Sequence, residues 1–240
     1  MLKMPTFSVV VPARNEERFI GGCLESIRVA ALQLQRNVEV IVVINRCSDR
    51  TEEIARGFGA RIVSEDAKNL STIRNAGERA AVGRILVTID ADSQMSENTL
   101  LAIDRALASG KTVGGGTRIY PDRYSPGIRA TLVAMNILLF VTQISGGLFW
   151  CHREDFEAIG GFNENLVSGE DVDFARRLKA HGRKTGRTFS TLRDAHIVTS
   201  CRKFDRFGDW LVMKRPLMVW RILRGRSQST ADAFYYEIER

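Results

Sequence analysis

The stretch FSVVVPARNE (residues 7–16) is a run of apolar, mostly β-branched residues that gives way to polar ones at Arg14. The same texture returns in VEVIVVI (38–44), in ARIVS (60–64) and in ILVTI (85–89). Short and almost continuous apolar runs are typical of strands that are buried on both faces, and such strands usually belong to parallel sheets. We therefore predict four parallel strands in the first half of the chain.

Amphipathic segments separate these strands. After the first strand, apolar residues recur at helical spacing, namely Phe19, Ile20, Cys23, Leu24, Ile27, Ala31 and Leu34. A further helix is predicted over residues 71–82. The alternation of strands and helices predicts an α/β fold with a doubly wound, mostly parallel sheet, which binds ligands at the carboxyl ends of its strands.

Capping signals place the ends of two more helices. Asp49 followed by Glu52 predicts a capping box at the start of the second helix. Ser96 is expected to cap the fourth helix, and Gly110 to end it.

The second half of the chain is less regular. A strand is predicted over residues 147–151, and a helix over residues 171–180 that ends at Gly182. The apolar stretch 130–144 is shorter than the span of about 20 residues that crosses a bilayer. Its alternatives are the wall of an acceptor cavity, plain core, or the contact in a homodimer.

Length and composition limit the class of protein. The 240 residues include 44% hydrophobic and 26% charged ones, which fits one globular domain with a tail and argues against disorder. The net charge of +7 favours anionic partners such as phosphates, nucleic acid or an acidic membrane surface. The four cysteines form no C-x-x-C pair, so we expect reduced thiols in a soluble, cytoplasmic protein.

Polar residues follow three of the predicted strands directly. They are found at residues 12–16 (PARNE), 45–49 (NRCSD) and 90–92 (DAD). Because the carboxyl ends of parallel strands share one edge of a sheet, we expect these three segments to converge there.

Asp90-Ala91-Asp92 is the most specific of these segments. On an extended backbone, residues i and i+2 point the same way, and two such carboxylates repel each other unless a cation lies near them. A hard divalent cation that completes its coordination with substrate phosphates would satisfy them. The alternative is that Asp90 and Ser93 are ordinary turn residues.

Three acids, Glu170, Asp171 and Asp173, open a predicted helix after Gly169. One interpretation is stabilisation of the helix N-terminus, and the other is that one acid is a general base towards a hydroxyl. Arg74 suits a diphosphate or a solvated surface.

Two further signals lie near the end of the fold. His196 suits a strand end or a ligand position, and the pair Arg202–Lys203 suits a phosphate or water.

Taken together, these segments resemble the GT-A-fold glycosyltransferases of family 2. Residues 7–27 resemble the first strand and helix of that family with its V-P-x-x-N-E core, residues 40–55 its second strand and turn, and ILVTIDADS its D-x-D strand. The block SGGLFWCHREDFEAIGGFNENLVSGEDVDFARRL (145–178) resembles its acceptor side. The resemblance covers roughly residues 5 to 200.

The resemblance implies a Rossmann-like, nucleotide-diphospho-sugar transferase domain over residues 1–200. Residues 1–117 would be its nucleotide-sugar-binding half and residues 118–200 a small acceptor-side half. A basic, aromatic and helical C-terminal extension over residues 201–240 would follow.

The resemblance also implies roles for single residues. The nucleotide would contact seven positions: Pro12, Ala13, Glu16, Asn45, Asp49, Arg74 and Asp90. Family members often carry an acid where this chain has Asn45, which can still donate and accept hydrogen bonds. Asp92 would hold a divalent metal (Mn²⁺ or Mg²⁺), and His196 sits where some relatives place a further metal ligand.

On the acceptor side, the resemblance implies that Asp171 is the catalytic base and that Glu170 shapes acceptor recognition. The reaction would move a sugar from a nucleotide-diphosphate sugar to an acceptor hydroxyl, with a single in-line displacement that inverts the anomeric centre. The acceptor would be a sugar, a lipid-linked molecule or another small molecule.

Other functions fit parts of the sequence. A nucleotidyltransferase would need a glycine-rich phosphate loop, which PARNEERF lacks. A non-catalytic sugar-nucleotide-binding module and a nucleic-acid binder are alternatives from other classes, and we predict no nucleic-acid partner. The basic segment around Trp210 and Trp220 has two interpretations: an interfacial helix that gives peripheral contact with the inner membrane face, or a tail packed on the domain.

Overall fold

The computed structural model describes residues 6–142 and 144–214, and of residues 135 and 138–142 it describes the backbone alone. Predictions for the basic and aromatic positions from 215 to 240, including Trp220, therefore lie outside the described residues.

The first half of the chain alternates strands and helices as predicted. The elements run in the order β1 (Phe7–Ala13), α1 (Ile20–Leu34), β2 (Val38–Ile44), α2 (Thr51–Gly57), β3 (Arg61–Ser64), α3 (Leu70–Ala80), β4 (Ile85–Ile89), β5 (Ser93–Met95) and α4 (Thr99–Ala108). The four apolar runs are thus strands, and the amphipathic segments between them are helices.

The second half completes the sheet and adds helices on its faces. Its elements are β6 (Thr112–Pro121), α5 (Pro126–Thr142), β7 (Leu148–His152), α6 (Arg153–Ala158), α7 (Glu170–Lys184), β8 (Thr188–Thr199), α8 (Arg202–Phe207) and α9 (Leu211–Lys214).

The strands form one eight-stranded sheet in the order β3-β2-β1-β4-β7-β6-β8-β5. The pairs among β3, β2, β1 and β4 are parallel, and so is the pair β6–β8. The short strand β7 enters antiparallel between β4 and β6, and β5 pairs antiparallel with β8. The α/β, mostly parallel architecture is confirmed.

Helices cover both faces of this sheet. One buried cluster joins α1 and α4 to the strands through residues such as Ile27 and Ile103, which are fully buried. On the opposite face, α3 lies against β1 and β2. A separate aromatic cluster, in which the rings of Phe162 and Phe174 stack at 4.3 Å between centroids, holds α7 against β7.

Two of the predicted helix ends are wrong. The Ser96 side chain bonds to Asn98 and Thr99 in the turn before α4, and the helix starts only at Thr99. Gly182 lies inside α7, where its missing side chain admits the carbonyl of Arg187 and the side chain of Val113.

The signals at two other helix ends have mixed outcomes. Gly110 follows α4 in the left-handed conformation (φ 67°), as expected. The N-cap of α2 is Arg50, one residue later than expected, and it makes no side-chain cap bond; Asp49 accepts from the backbone of Thr51 (3.0 Å), and Glu52 pairs with Arg56.

The structure also bears on two further expectations, one about the state of the cysteines and one about membrane-spanning segments. All four cysteines are free thiols. Within the described parts of the chain, no helix is both long and apolar enough to cross a membrane.

The close packing of α3 on the sheet depends on Gly77. A Cβ at this position would lie 2.3 Å from Cγ1 of Val10 and 2.7 Å from Cγ2 of Val43, both of which are fully buried. A side chain at residue 77 therefore forces α3 away from the strands.

We predict that Gly77→Ala lowers the free energy of unfolding by about 3 kcal/mol, because overpacking in a dense core is costly. The matched control is Gly57→Ala in α2, where an added Cβ meets no atom within 4 Å. Alanine should stabilise that helix by about 0.5–1 kcal/mol. Urea denaturation of both variants measures the difference, and equal effects would contradict the close approach of α3.

Candidate functional site at the carboxyl edge of the sheet

The loops that follow β1, β2 and β4 meet at one edge of the sheet, as the sequence predicts. The Oδ1 atom of Asn15 accepts a hydrogen bond from the backbone of Ser48 (2.8 Å), and the backbone of Glu17 donates to Asp49 (3.0 Å). The thiol of Cys23, in α1, lies 3.7 Å from the carbonyl oxygen of Asp90. The three polar segments therefore form one continuous rim.

A buried arginine connects this rim to the second half of the chain. Arg74, in α3, donates from Nη2 to Oδ1 of Asp90 (2.8 Å) and from Nη1 to Oε1 of Glu170 (2.9 Å). The side chains of Arg74 and Glu170 are each only 7% exposed, whereas that of Asp90 is 45% exposed. Arg74 thus bridges the end of β4 and the start of α7.

The charges in this bridge shift the pKa values of both acids. Burial raises the pKa of Glu170 to about 7, against the favourable charge of Arg74, and the neighbouring Asp171 contributes to the rise. Burial also opposes ionisation of Asp90, but Arg74 outweighs it, so the pKa of Asp90 is lower than its ordinary value. The pKa shifts of the two acids therefore have opposite signs: Arg74 favours the charged form of Asp90, while burial disfavours the charged form of Glu170.

A second arginine joins the rim to the end of β8. Arg202, the first residue of α8, makes two bonds to the carboxylate of Glu16 (2.6 and 2.8 Å) and an ion pair with Asp92 (2.8 Å). Its guanidinium lies over the ring of Phe19, 5.2 Å from the centroid. Burial disfavours the charged form of Arg202, but Glu16 and Asp92 outweigh it and raise its pKa.

The helix that carries Arg202 is itself tied down. The backbone of Cys201 donates to Asp122 (3.0 Å), and Arg123 pairs with Asp205 and with Asp209 (2.8 Å for Asp209). The backbone position of α8 is therefore fixed at the edge of the sheet.

The two aspartates of the D-x-D segment have separate partners, which corrects the prediction of an extended segment. The backbone of Ser93 donates to the carbonyl of Asp90 (3.0 Å), so the segment is a tight turn rather than an extension of β4. Asp90 pairs with Arg74, and Asp92 pairs with Arg202. Repulsion between the two carboxylates is relieved by two different arginines.

Asp171 lies beside Glu170 in the first turn of α7. Its Oδ2 atom is 3.9 Å from the position that a Cβ at Gly146 would take, so it faces the loop before β7. Within the described parts of the chain it has no ion-pair partner, whereas Asp173 pairs with Arg177 (2.6 Å). Asp171 is therefore a half-buried carboxylate in the first turn of α7, with Oδ1 accepting from the backbone of Val172 (2.8 Å) and Oδ2 facing the loop before β7.

The remaining positions on the nucleotide side have different surroundings. Pro12 and Ala13 are buried at the end of β1. The side chain of Asn45 is fully buried and donates to the carbonyls of Glu65 (2.5 Å) and Ala67 (3.0 Å). Asn45 thus holds the loop after β3 under the rim.

The structure does not bring His196 to Asp92. His196 lies on β8 opposite Ser96, and the two backbones are bonded (2.9 Å). Asp92 instead lies opposite Ser200, four residues or about 13 Å further along the strand. The ring of His196 packs against Tyr120, with 5.1 Å between centroids. The strand register therefore separates the two residues, and the assignment of His196 as a further metal ligand stays a prediction.

The rim nevertheless suits a divalent cation at Asp92. The described residues contain no group of three or more histidine, cysteine or acidic side chains that could enclose a metal. Mg²⁺ is commonly held by one or two carboxylates together with substrate phosphates and water. Glu16 and Asp92 already hold a cationic guanidinium between them, which shows that the local charge favours a cation.

Two features of this site were missed by the sequence reasoning. The pattern at Arg202–Lys203 left phosphate and water as equal alternatives, and nothing in it indicated contact with Glu16. Arg74 was assigned to a nucleotide, although its partners are two acids. The only signal that could have linked Arg74 to Glu170 is that both belong to predicted helices beginning at the same edge.

Comparisons with known proteins agree with this architecture. The family model described as glycosyl transferase family 2 matches residues 8–159, and the one described as the N-terminal domain of galactosyltransferase matches residues 128–200. The chain is 27% identical to the glycosyltransferase AglE of Haloferax volcanii, over 92% of this chain and 76% of AglE.

Two solved structures share the fold. TarS 1–349 of S. aureus in complex with UDP-GlcNAc has a TM-score of 0.65 and 17% identity, over 97% of this chain and 71% of that one. The mannosyltransferase PcManGT of Pyrobaculum calidifontis, in complex with GDP-Man and Mn²⁺, has a TM-score of 0.65 and 22% identity, over 100% of this chain and 66% of that one. The chain spans only 42% of a longer TarS structure.

The GT-A-type fold expected from the resemblance is thus confirmed, and the family match covers both the D-x-D turn and the loops that form the rim. This chain belongs to glycosyl transferase family 2.

Proposed function

We propose that this protein transfers a sugar from a nucleotide-diphosphate sugar to an acceptor hydroxyl, by a metal-assisted in-line displacement that inverts the anomeric centre. Membership of family 2 supports the reaction class. The observation that carries the proposal is the position of Asp171, which is free of ion pairs in the described structure and is connected to the D-x-D turn through Glu170 and Arg74.

The rim formed by the loops after β1, β2 and β4 is the proposed donor site. TarS binds UDP-GlcNAc and PcManGT binds GDP-Man in their complexes, and both share this fold. Pro12, Ala13 and Glu16 would lie on the nucleoside side together with Asn45 and Asp49. Since the Asn45 side chain is used for internal hydrogen bonds, it would act by shaping the pocket.

The residues next to the diphosphate carry charge of both signs. Arg202 and Arg74 supply positive charge, while Asp92 would hold Mn²⁺ or Mg²⁺ against the phosphates. A bound divalent cation offsets the negative charge that develops on the leaving nucleoside diphosphate. The presence of Mn²⁺ with GDP-Man in PcManGT supports this choice of cofactor.

Asp171 is the proposed general base. It would take the proton from the acceptor hydroxyl as the oxygen attacks the anomeric carbon from the side opposite the diphosphate. Glu170 would contribute to acceptor recognition through its fixed position beside Arg74. A single displacement in this arrangement gives inversion.

The acceptor remains one of the predicted classes: a sugar, a lipid-linked molecule or another small molecule. The cytoplasmic location, the homodimer and the peripheral membrane contact through the C-terminal extension also stay predictions.

We predict that Asp171→Asn lowers kcat by about 10²–10⁴-fold, because it removes general-base assistance, while nucleotide affinity stays within about twofold of the unmodified protein. The matched control is Asp173→Asn, which removes an equal charge two residues away on the same helix. Sugar transfer is measured by single-turnover kinetics, and nucleotide binding by calorimetry. Near-normal kcat in Asp171→Asn would exclude Asp171 as the base.

We also predict that a nucleoside diphosphate with Mn²⁺ raises the Tm. A ligand at 100 times its Kd stabilises a protein by about 2.7 kcal/mol, and each kcal/mol shifts the Tm of a chain of this size by about 2–4 °C. UDP, GDP and their sugar conjugates are compared with and without Mn²⁺ in a thermal-shift assay.

The Mn²⁺-dependent part of the shift should disappear in Asp92→Asn, because the variant lacks the carboxylate that holds the cation. An equal Mn²⁺-dependent shift in this variant would contradict the metal assignment. The nucleotide that raises the Tm most identifies the base of the donor.

A further inference from the structure

The guanidinium of Arg202 lies against Asp92, the carboxylate that is assigned to the metal. Its Nη2 atom lies 2.8 Å from Oδ2 of Asp92 and also 2.8 Å from Oε1 of Glu16, while Nη1 lies 2.6 Å from Oε2 of Glu16. The side chain of Asp92 is 12% exposed and that of Glu16 is 4% exposed. The guanidinium therefore neutralises two largely buried carboxylates.

A divalent cation and this guanidinium compete for the same negative charge. Asp92 is the carboxylate assigned to the metal, and a metal bound there would lie within a few ångströms of the Arg202 side chain. Two cations at that separation repel each other strongly wherever water is excluded. Metal binding therefore favours departure of the guanidinium from Asp92.

The surroundings allow the guanidinium to move while the backbone stays in place. The start of α8 is held by the bond from Cys201 to Asp122 and by the pairs of Arg123 with Asp205 and Asp209. Arginine has a long side chain, so a change of rotamer alone displaces its end by several ångströms. A diphosphate offers a better partner, since a guanidinium binds phosphate oxygens in a bidentate manner.

We propose that Arg202 is an internal counter-cation that occupies the cation position of the donor site in the ligand-free protein and moves to the diphosphate when the metal binds. This inference rests on the proposed function and adds that the binding of the metal and the binding of the nucleotide are coupled. A metal that binds alone displaces the guanidinium, which then gains no new partner. When a nucleotide binds with the metal, its diphosphate is the new partner of the guanidinium. The two ligands therefore bind with positive cooperativity, and the coupling is reciprocal.

The coupling is tested by Mn²⁺ titration, with free Mn²⁺ measured by electron paramagnetic resonance in the absence and presence of UDP or GDP. In the unmodified protein, the nucleotide should tighten Mn²⁺ binding by about 5–150-fold, the usual range for coupled sites. In Arg202→Gln, Mn²⁺ alone should bind about 10–100-fold more tightly than in the unmodified protein, because a competing charge-assisted contact is gone. The additional effect of the nucleotide should shrink correspondingly.

Two further variants make the test specific. Arg206→Gln, on the same helix with its guanidinium over Phe207, removes one positive charge outside the proposed site and should leave Mn²⁺ affinity unchanged. Arg202→Lys keeps the charge but loses the bidentate geometry, so its Mn²⁺ affinity should be intermediate. This variant also serves if Arg202→Gln fails to fold.

The outcomes separate this inference from the proposed function. If the unmodified protein binds Mn²⁺ with nucleotide, but neither Arg202 variant tightens Mn²⁺ binding in the absence of nucleotide, the counter-cation role is overturned while the metal site stands. If no form of the protein binds Mn²⁺ with either nucleotide, metal use itself is overturned, and the counter-cation role with it. If Arg206→Gln tightens Mn²⁺ as strongly as Arg202→Gln, the effect is one of net charge, and the specific role of Arg202 is overturned.

Discussion

The contact of Arg74 with Asp90 and Glu170 is the constraint on which the site depends. It is a buried cation between two acids that are 80 residues apart in sequence, and it fixes the start of α7 against the end of β4. Removing one partner of the buried pair Arg74–Glu170 typically costs about 3–5 kcal/mol, because the remaining group loses its compensation in the interior. The same contact of Arg74 therefore stabilises the fold and fixes the geometry of the candidate site.

The same arrangement occurs a second time at the rim. Arg202 stands between Glu16 and Asp92, as Arg74 stands between Asp90 and Glu170. In the first case the arginine is more buried than the aspartate (7% of the Arg74 side chain is exposed against 45% of Asp90), whereas in the second the aspartate is the more buried (12% of Asp92 against 19% of Arg202). Asp90 thus stays accessible to solvent beside its arginine, while Asp92 is largely covered and lies against the guanidinium of Arg202.

The sequence predicts the sheet better than it predicts the site. Buried strands have a strong local signature, and all four apolar runs of the first half are strands of the parallel part of the sheet. The convergence of the loops follows from that topology alone. The partners of Asp90 and Asp92 depend on a turn and on side chains from distant segments, for which no local pattern exists.

Other differences from expectation have the same cause. The resemblance places His196 near the metal, whereas the pairing of β5 with β8 puts Ser200 opposite Asp92. Ser96 has the side chain of a helix cap, and yet its hydroxyl is used within the turn before α4. In each case long-range strand pairing or a nearby side chain outweighed the local propensity.

The contact of Arg202 with Glu16 spans 186 residues, and this separation has a consequence for biosynthesis. Chains fold progressively as they leave the ribosome, at about 5–20 residues per second, so Glu16 is exposed for about 10–40 seconds before Arg202 is even translated. During that interval the pair of Arg74 with Asp90 can already form, but the contact of Arg202 with Glu16 and Asp92 cannot. Premature termination upstream of residue 202 would therefore leave the rim without the guanidinium that lies between Glu16 and Asp92.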